Sequence, residues 1–451
     1  MKDYTPFLIR LKEVLKSFYI KDRITSSELE NEVKLLLDGE AGRELRKHVT
    51  LEERKEASAF FTGSELSERL AGFLKDNIEK GESVLDPACG AGNLLIACAR
   101  CMPVLPLLSE TIKHWNSRLF AYDVHKEFVE ATKCRLAILA LERGAQPDII
   151  PEYALLLFTN IYQRDALDNV PWHHTDCLII NPPFGPYDAS LDCTWSTGKV
   201  SLASLFIERA IKEGIKVIAC ILPDVLRTGV RYSRWRGLVE SCAPIQHIES
   251  IGRFDSWADV DVFLVVFTNA RYFKINPNYI ADIKSVAWWP FHNQEPWELG
   301  KLEEAFRIRV GSVVPHRNPL VGFPNASAPA KPYIDAFTCP PWGRMVIDSF
   351  TSVRKYGGTC YTPPFLVVRR TSSPSDARRL VATIIEATDE IEDVAVENHL
   401  IVIQPLNGSL ESCLRLQAQC NTSTTDTWLN ERIRCRHLTV ASLRELPIQI
   451  G

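Results

Sequence analysis

Between about residues 59 and 269 short apolar runs alternate with amphipathic stretches. SVLDPACG, LFAYDV, DCLIINPPF, VIACILP and FLVVFTN are short runs rich in Val, Ile, Leu and Phe. SELSERLAGFLKDNI, KEFVEATKCRLAILALERG and LASLFIERAIKEG space their apolar residues three and four apart. Continuously apolar strands separated by helices predict an α/β fold, a doubly wound and mostly parallel sheet covered on both faces. Ahead of it, PFLIRLKEVLKSF and SSELENEVKLLLDGE carry helical periodicity, the second after a Ser-Ser N-cap signal, and residues 6–58 read as helices. From about 270 the texture changes. INPNYIADIKSVAWWPFHNQEPWELG mixes prolines, aromatics and turn residues, and RNPLVGFPNASAPAKPY reads as loop. PPFLVVRR, HLIVIQP and LTVASLRELPI are strand-like, and LESCLRLQAQC reads as a helix. A boundary between 270 and 300 gives three expected parts: a helical segment 1–57, an α/β domain 58–270 and an α+β domain 271–451.

A chain of 451 residues is long enough for two or three cores. Its 13 cysteines are scattered, most in apolar runs (Cys89, Cys98, Cys177, Cys220), and read as reduced, buried thiols. Cys98-x-x-Cys101 falls inside a predicted helix with no second pair, so no metal site is expected. No signal-type segment and no run near the ~20 apolar residues of a membrane span is present, which predicts a cytoplasmic protein with no membrane partner. The net charge of −4 gives no global sign of a nucleic-acid partner and leaves room for a local basic surface. Residues 301–451 are slightly positive, with arginine the main cation.

Two turns carry candidate chemistry. In VLDPACGAGNLLIACAR a strand ends at Asp86, a small-residue turn follows and a helix begins near Asn93. Gly90 and Gly92 let backbone approach a ligand closely. Leu95 stands where the dinucleotide pattern G-x-G-x-x-G has its third glycine, so the turn alone is weak evidence, and a plain structural turn would use the same residues. Asp123 ends the next strand, where an acid can accept from both hydroxyls of a ribose. Asp165 follows a third strand-like run, where an acid suits an adenine amine. Three acids at successive strand ends favour a bound nucleoside.

The second turn is LIINPPFG. Two consecutive prolines, Pro182 and Pro183, cannot continue a central strand, so the strand ends at Asn181 and a rigid turn follows. The Asn181 side-chain carbonyl and the Pro182 carbonyl are acceptors, and Phe184 offers a flat face. Two acceptors beside an aromatic face suit a planar amine with two N–H donors.

FFTGSELSERL, DPACGAGNLL, YDV, RDAL, INPPFG, SLFIERAIKEG and ILPDVLRTG occur in an order that resembles the gamma-type, amino-group (N6-adenine) DNA methyltransferases. VDVFLVVFTN looks like that family's last strand, and the likeness covers residues 58–269. It implies a seven-stranded, Rossmann-like methyltransferase sheet, S-adenosylmethionine as cofactor and duplex DNA as partner. It implies contacts of Thr62, with Phe60 and Phe61, to the methionine part of the cofactor. Asp86, Ala88, Gly90 and Gly92 would line its turn, Asp123 with Val124 its ribose side, Asp165 with Ala166 its adenine, and Phe206 would wall the adenine. Asn181 and Pro182 would hold the target amine, and Phe184 would stack on its base. Gly63 departs from the family, where proline is frequent, and Ala91 stands where serine is frequent.

Beyond 270 the likeness is architectural and implies a target-recognition domain. Arg369, Arg370, Arg378, Arg379, Arg432, Arg434 and Arg436 are candidate base readers as a group, since arginine is the usual bidentate partner of guanine. Pro186–Ser204 reads as a mobile loop near the DNA, with Lys199 a candidate phosphate contact. The expected setting is a prokaryotic cytosol, in restriction-modification or a related defence system, with a possible separate restriction or specificity subunit. Two other readings use the same residues: methylation of RNA adenine or of a protein glutamine, each a planar amine, and a catalytically silent DNA-binding subunit. The long C-terminal region favours duplex DNA over the first, and the intact motifs favour an enzyme over the second.

Overall fold

The computed structural model describes residues 4–20, 27–38, 40–48, 62–188, 193, 195–254, 260–269, 288, 300–315, 329–372, 377–433 and 438–448. Phe60, Phe61, Arg434 and Arg436, and the helical reading of residues 49–58, lie outside the described residues. The chain divides into two compact units, Met1–Arg227 with Arg231–Ser285, and Thr228–Val230 with Val286–Gly451.

The first unit is built on seven strands: β1 (Val84–Asp86), β2 (Leu119–Asp123), β3 (Ile161–Gln163), β4 (Cys177–Ile180), β5 (Val217–Pro223), β6 (Ile245–Arg253) and β7 (Asp261–Thr268). Their order is β3-β2-β1-β4-β5-β7-β6, and only β7 runs against its neighbours. This is the doubly wound, seven-stranded, mostly parallel sheet that the resemblance implies. The chain moves outward from β1 to β3 and then returns to β4 beside β1. Ligands bind at such a switch point, outside the carboxyl ends of the strands. The central strands β1 and β4 are buried along their whole length, as their unbroken apolar sequences require.

One side of the sheet is covered by helix Lys126–Glu142, buried nearly all round. A helix apolar on every face needs a second layer. Helices Thr5–Ser17, Ser27–Leu37, Asn93–Arg100, Leu108–Asn116 and Pro151–Leu156 supply it. The N-terminal amphipathic stretches therefore belong to the core of the first unit: Phe7, Leu11, Leu15 and Leu36 are buried in the same cluster as Leu136, Leu139 and Ile179. Strand β6 has no clear sequence signal. It is an edge strand with two register shifts, and IQHIESIGR mixes polar and apolar residues without a clean period.

Pro186–Ser204, expected to be a loop, is an antiparallel hairpin at its described ends, Pro186–Asp188 pairing with Lys199–Ser201. Among the described residues no helix is long and apolar enough to cross a membrane. The described cysteines are free thiols, most of them buried.

In the second unit, a five-stranded sheet has the order Phe306–Val310, Leu400–Pro405, Phe365–Arg369, Ala382–Ala387, Arg344–Ile347. One face packs on helices Leu410–Cys420, Ser423–Arg432 and Val440–Arg444 through Phe306, Ile308, Leu366, Val368, Ile401 and Ile403. A three-stranded sheet, Val353–Lys355, Ala330–Ile334 and Ala395–Val396, completes the sheet-rich unit. LTVASLRELPI is chiefly helix rather than strand. Thr439 Oγ1 accepts from Ser442 N at 3.1 Å in a capping box that starts Val440–Arg444, and only Pro447–Ile448 pairs as strand. The cap and the helix-forming Ala, Leu and Arg outweigh the β-like Leu-Thr-Val start.

Candidate cofactor and amine site

The predicted cofactor residues lie along the carboxyl ends of three adjacent strands. Asp86 is the last residue of β1, Asp123 the last of β2, and Asp165 lies just past β3. Helix Asn93–Arg100 starts where the sequence places it, after Gly92 with φ +85°. A Cβ on Gly92 would lie 2.8 Å from the Thr132 side chain, so the backbone angle and the space both demand glycine there. Asp123 ties the strand end to this turn: its Oδ2 accepts from Gly90 N at 2.9 Å and its Oδ1 from His125 N at 2.8 Å. Each carboxylate oxygen keeps a second lone pair for a hydroxyl. Beside it Val124 is an apolar side chain 51 % exposed, suited to cover a ring face. Asp165 is exposed and turns the chain through Leu167 N to Oδ1 at 2.9 Å. Ala166 is buried, and its carbonyl accepts from Trp172 Nε1 at 2.7 Å. Ala88 is half-buried, and Phe206 is buried on helix Leu202–Lys212.

Asp86 is the electrostatic oddity. Its Oδ1 accepts from Ala88 N at 3.2 Å, and its buried Oδ2 has no hydrogen-bond partner among the described residues. Burial pushes the carboxyl well above the ordinary carboxylate range, against the Ala88 N–H and with some help from Asp123. A carboxyl whose folded-state pKa is raised stabilises the fold below its unfolded value and loses that contribution as pH climbs to the raised value. The ligand-free protein is therefore expected to lose stability through that window, and Asp86→Asn to lose less. Other acids titrate as well, so the check is the difference between wild type and Asp86→Asn in denaturant midpoint against pH. Equal slopes would remove Asp86 as the cause.

Asn181 is the first residue past β4, which is hydrogen-bonded to β1. Its Nδ2 donates to Thr62 Oγ1 at 3.0 Å, and the Thr62 carbonyl accepts from Asn93 Nδ2 at 2.5 Å. Thr62, itself buried, thus joins the NPPF turn to the first residue of the helix after the glycine turn. The structure brings the two turns together. Pro182 is buried, Pro183 and Phe184 are half-buried, and the Phe184 ring stands edge-on to Phe254 with centroids 6.3 Å apart. Ser201 Oγ donates to the Phe184 carbonyl at 3.2 Å and Leu202 N to that of Gly185 at 2.9 Å, anchoring the turn to the hairpin.

Sequence reasoning missed Asn93 and Arg135. Arg135 is fully buried, and donates from Nη1 to Ala91 O and Asn93 Oδ1 at 2.5 Å each. It also donates from Nε to Leu36 O at 2.8 Å and from Nη2 to Leu37 O at 3.1 Å. The signal was a lone arginine inside the apolar stretch CRLAILAL.

Gly63 caps helix Ser64–Gly72 with φ −65° and ψ 159°, and a Cβ there would meet nothing within 4 Å. Proline accepts that φ. Gly63→Pro is expected to stabilise the chain by about 0.4–1 kcal/mol through the unfolded state, measured as a rise in denaturant midpoint.

The candidate DNA-contacting residues fare unequally. Lys199 is exposed at the start of the second hairpin strand, and Arg369 and Arg370 are half-buried at the end of Phe365–Arg369. Arg378 is engaged with Asn421 and Asp426, and Arg379 is buried and bonded to Ser372 and Asn430. Arg432 is buried with its guanidinium 4.1 Å from the Trp428 ring centre. All three make contacts within the second unit, and of them Arg379 and Arg432 are buried.

A search of curated proteins finds no match. Among solved structures the chain is similar to the type IIG restriction endonuclease BpuSI, at 15% identity over 87% of this chain and 59% of that one, with a TM-score of 0.41. It is similar to the type IIL restriction-modification enzyme MmeI in complex with DNA, at 13% identity over 90% and 70%, TM-score 0.48. It is also similar to the type I restriction enzyme EcoKI M protein, at 15% identity over 47% and 44%, TM-score 0.33. The chain thus spans less than two thirds of BpuSI and of the EcoKI M protein. Residues 43–190, which contain the glycine turn, the three strand-end acids, Thr62 and the NPPF turn, match the N-6 DNA Methylase family, the family to which the order of the motifs points.

Proposed function

We propose that the chain is a site-specific DNA methyltransferase that moves the methyl group of S-adenosylmethionine to the N6 amine of an adenine flipped out of a duplex. The observation that carries this reading is the Thr62 bridge, which sets an acceptor-bearing asparagine beside a glycine turn at the switch point of the sheet. Bound there, the cofactor would supply an activated methyl on a sulfonium. The residues present suit it: glycines admit the chain of the ligand, Asp123 has lone pairs for the ribose, and a cationic ligand would relieve the buried, raised carboxyl of Asp86.

An aromatic amine is a poor nucleophile because its lone pair is delocalised into the ring. With Asn181 Nδ2 engaged by Thr62, the amide carbonyl is the group turned to accept. Together with the Pro182 carbonyl it would take both N6 hydrogens and localise the lone pair for in-line attack. Most of the rate would come from position and electrostatics. A base in a duplex cannot reach such a turn and must be extruded. Stacking on Phe184 would return about 1–3 kcal/mol of the unstacking cost. Arg369, Arg370 and Arg434 of the second unit, and Lys199 of the first, are assigned to holding the DNA, and a restriction or specificity subunit would act beside this chain in host protection or defence. The test is methyl transfer from labelled cofactor to duplex DNA, RNA and protein in parallel, followed by detection of N6-methyladenine. Label on RNA or protein with none on duplex DNA would overturn the substrate assignment.

A further inference from the structure

On the second unit, Arg307 and Arg309 project from strand Phe306–Val310 on the face opposite Phe306 and Ile308, which are buried in the core. They line a cavity of about 230 Å³ with Tyr361, Thr362 and Gln404. No carboxylate lines it, and neither guanidinium has an ion-pair partner among the described residues. The wall is braced: Tyr361 hydroxyl donates to Val310 O at 3.0 Å and Gln404 Nε2 to Thr362 O at 2.9 Å. Alternate residues of a strand stand about 7 Å apart on one face, a spacing that suits successive phosphates of one nucleic-acid strand.

The strand is one edge of the five-stranded sheet, and at the other edge the arginine is charge-paired. There Arg344 is tied by two 2.7 Å hydrogen bonds to Glu386, and the acidic run that follows ends beside the cavity wall, where Asp393 is paired with Lys331 at 2.6 Å. We propose that the Arg307–Arg309 edge is a phosphodiester-binding surface that seats the backbone of duplex DNA. This deepens the DNA methyltransferase reading and rests on it.

The test is the salt dependence of binding to a fluorescent DNA duplex, read by anisotropy without cofactor. Each phosphate that the protein no longer neutralises reduces the steepness of log K against log salt by about 0.9. By that scale the Arg307→Gln/Arg309→Gln protein is expected to show a slope shallower than wild type by about 1.8, and the Arg307→Lys/Arg309→Lys protein to keep the wild-type slope, since lysine keeps the charge. Arg344→Gln, on the opposite edge and paired with Glu386, is the control expected to leave the slope unchanged. Both arginines are solvent-facing, so unchanged melting would show that the fold is intact. A glutamine pair with the wild-type slope and affinity overturns this surface while leaving the methyltransferase reading in place. A wild-type protein that binds duplex DNA at no salt concentration overturns both.

Discussion

Asn181→Ala is expected to lower methyl transfer by at least about 10²–10³-fold, the scale on which removing one pre-aligned hydrogen-bonding group costs an enzyme, while S-adenosylmethionine still binds. The substitution deletes the carbonyl proposed to accept from the amine, and also the Nδ2 donor to Thr62 Oγ1. Thr62 keeps its carbonyl bond to Asn93, so the glycine turn stays anchored. Single-turnover transfer and calorimetric cofactor binding separate the two effects. Thr62→Val is the informative companion. It keeps Asn181 but removes its partner, so the amide loses its fixed orientation, and a smaller loss of about ten-fold is expected for one neutral hydrogen bond. Turnover of Asn181→Ala near the wild-type rate would remove Asn181 from the chemistry.

The parts of this site that could be read in the sequence are those written locally. An apolar run broken by Asp-Pro and two glycines gives β1, the turn and the helix start at Asn93. A run broken by Pro-Pro gives the end of β4, because proline cannot donate to a central ladder. Edge strands are less legible. IQHIESIGR lies at a margin of the sheet and alternates irregularly, and RMVI, an edge strand of the second unit, is only four residues long. The arginines of the second unit show a further limit. Composition marks them all as potential DNA contacts, yet Arg379 and Arg432 are buried while Arg307 and Arg309, in the unremarkable FRIRV, line an open cavity. Which of them faces solvent depends on strand pairing and on helices packed from far along the chain. The Thr62–Asn181 bond spans 119 residues and the Arg135–Leu36 bond 99, so neither leaves a trace in any local window.

Arg135→Met is expected to cost about 3–5 kcal/mol of stability, since it takes the donor away from four buried acceptors at about 1–3 kcal/mol each before relaxation. Burial brings the Arg135 guanidinium down to about 10, so it stays charged at neutral pH, although the acceptors it reaches on Leu36, Leu37, Ala91 and Asn93 include no carboxylate. Two of them, Leu36 and Leu37, are the last carbonyls of helix Ser27–Leu37, which have no partner inside their own helix. The negative end of that helix dipole favours a cation. The other two, Ala91 O and Asn93 Oδ1, belong to the glycine turn and the helix start that leans on Thr62. Methionine fills much of the volume and leaves these acceptors buried and unsatisfied, at about 1–3 kcal/mol each before relaxation. Lysine keeps the charge but cannot reach both sides at once, because its single ammonium lacks the planar fork. The expected signature is therefore double: a lower denaturant midpoint, and weaker S-adenosylmethionine binding in the protein that remains folded, with faster amide exchange in helix Ser27–Leu37. Loss of stability with wild-type cofactor affinity would reduce Arg135 to a packing residue and uncouple the N-terminal helices from the glycine turn.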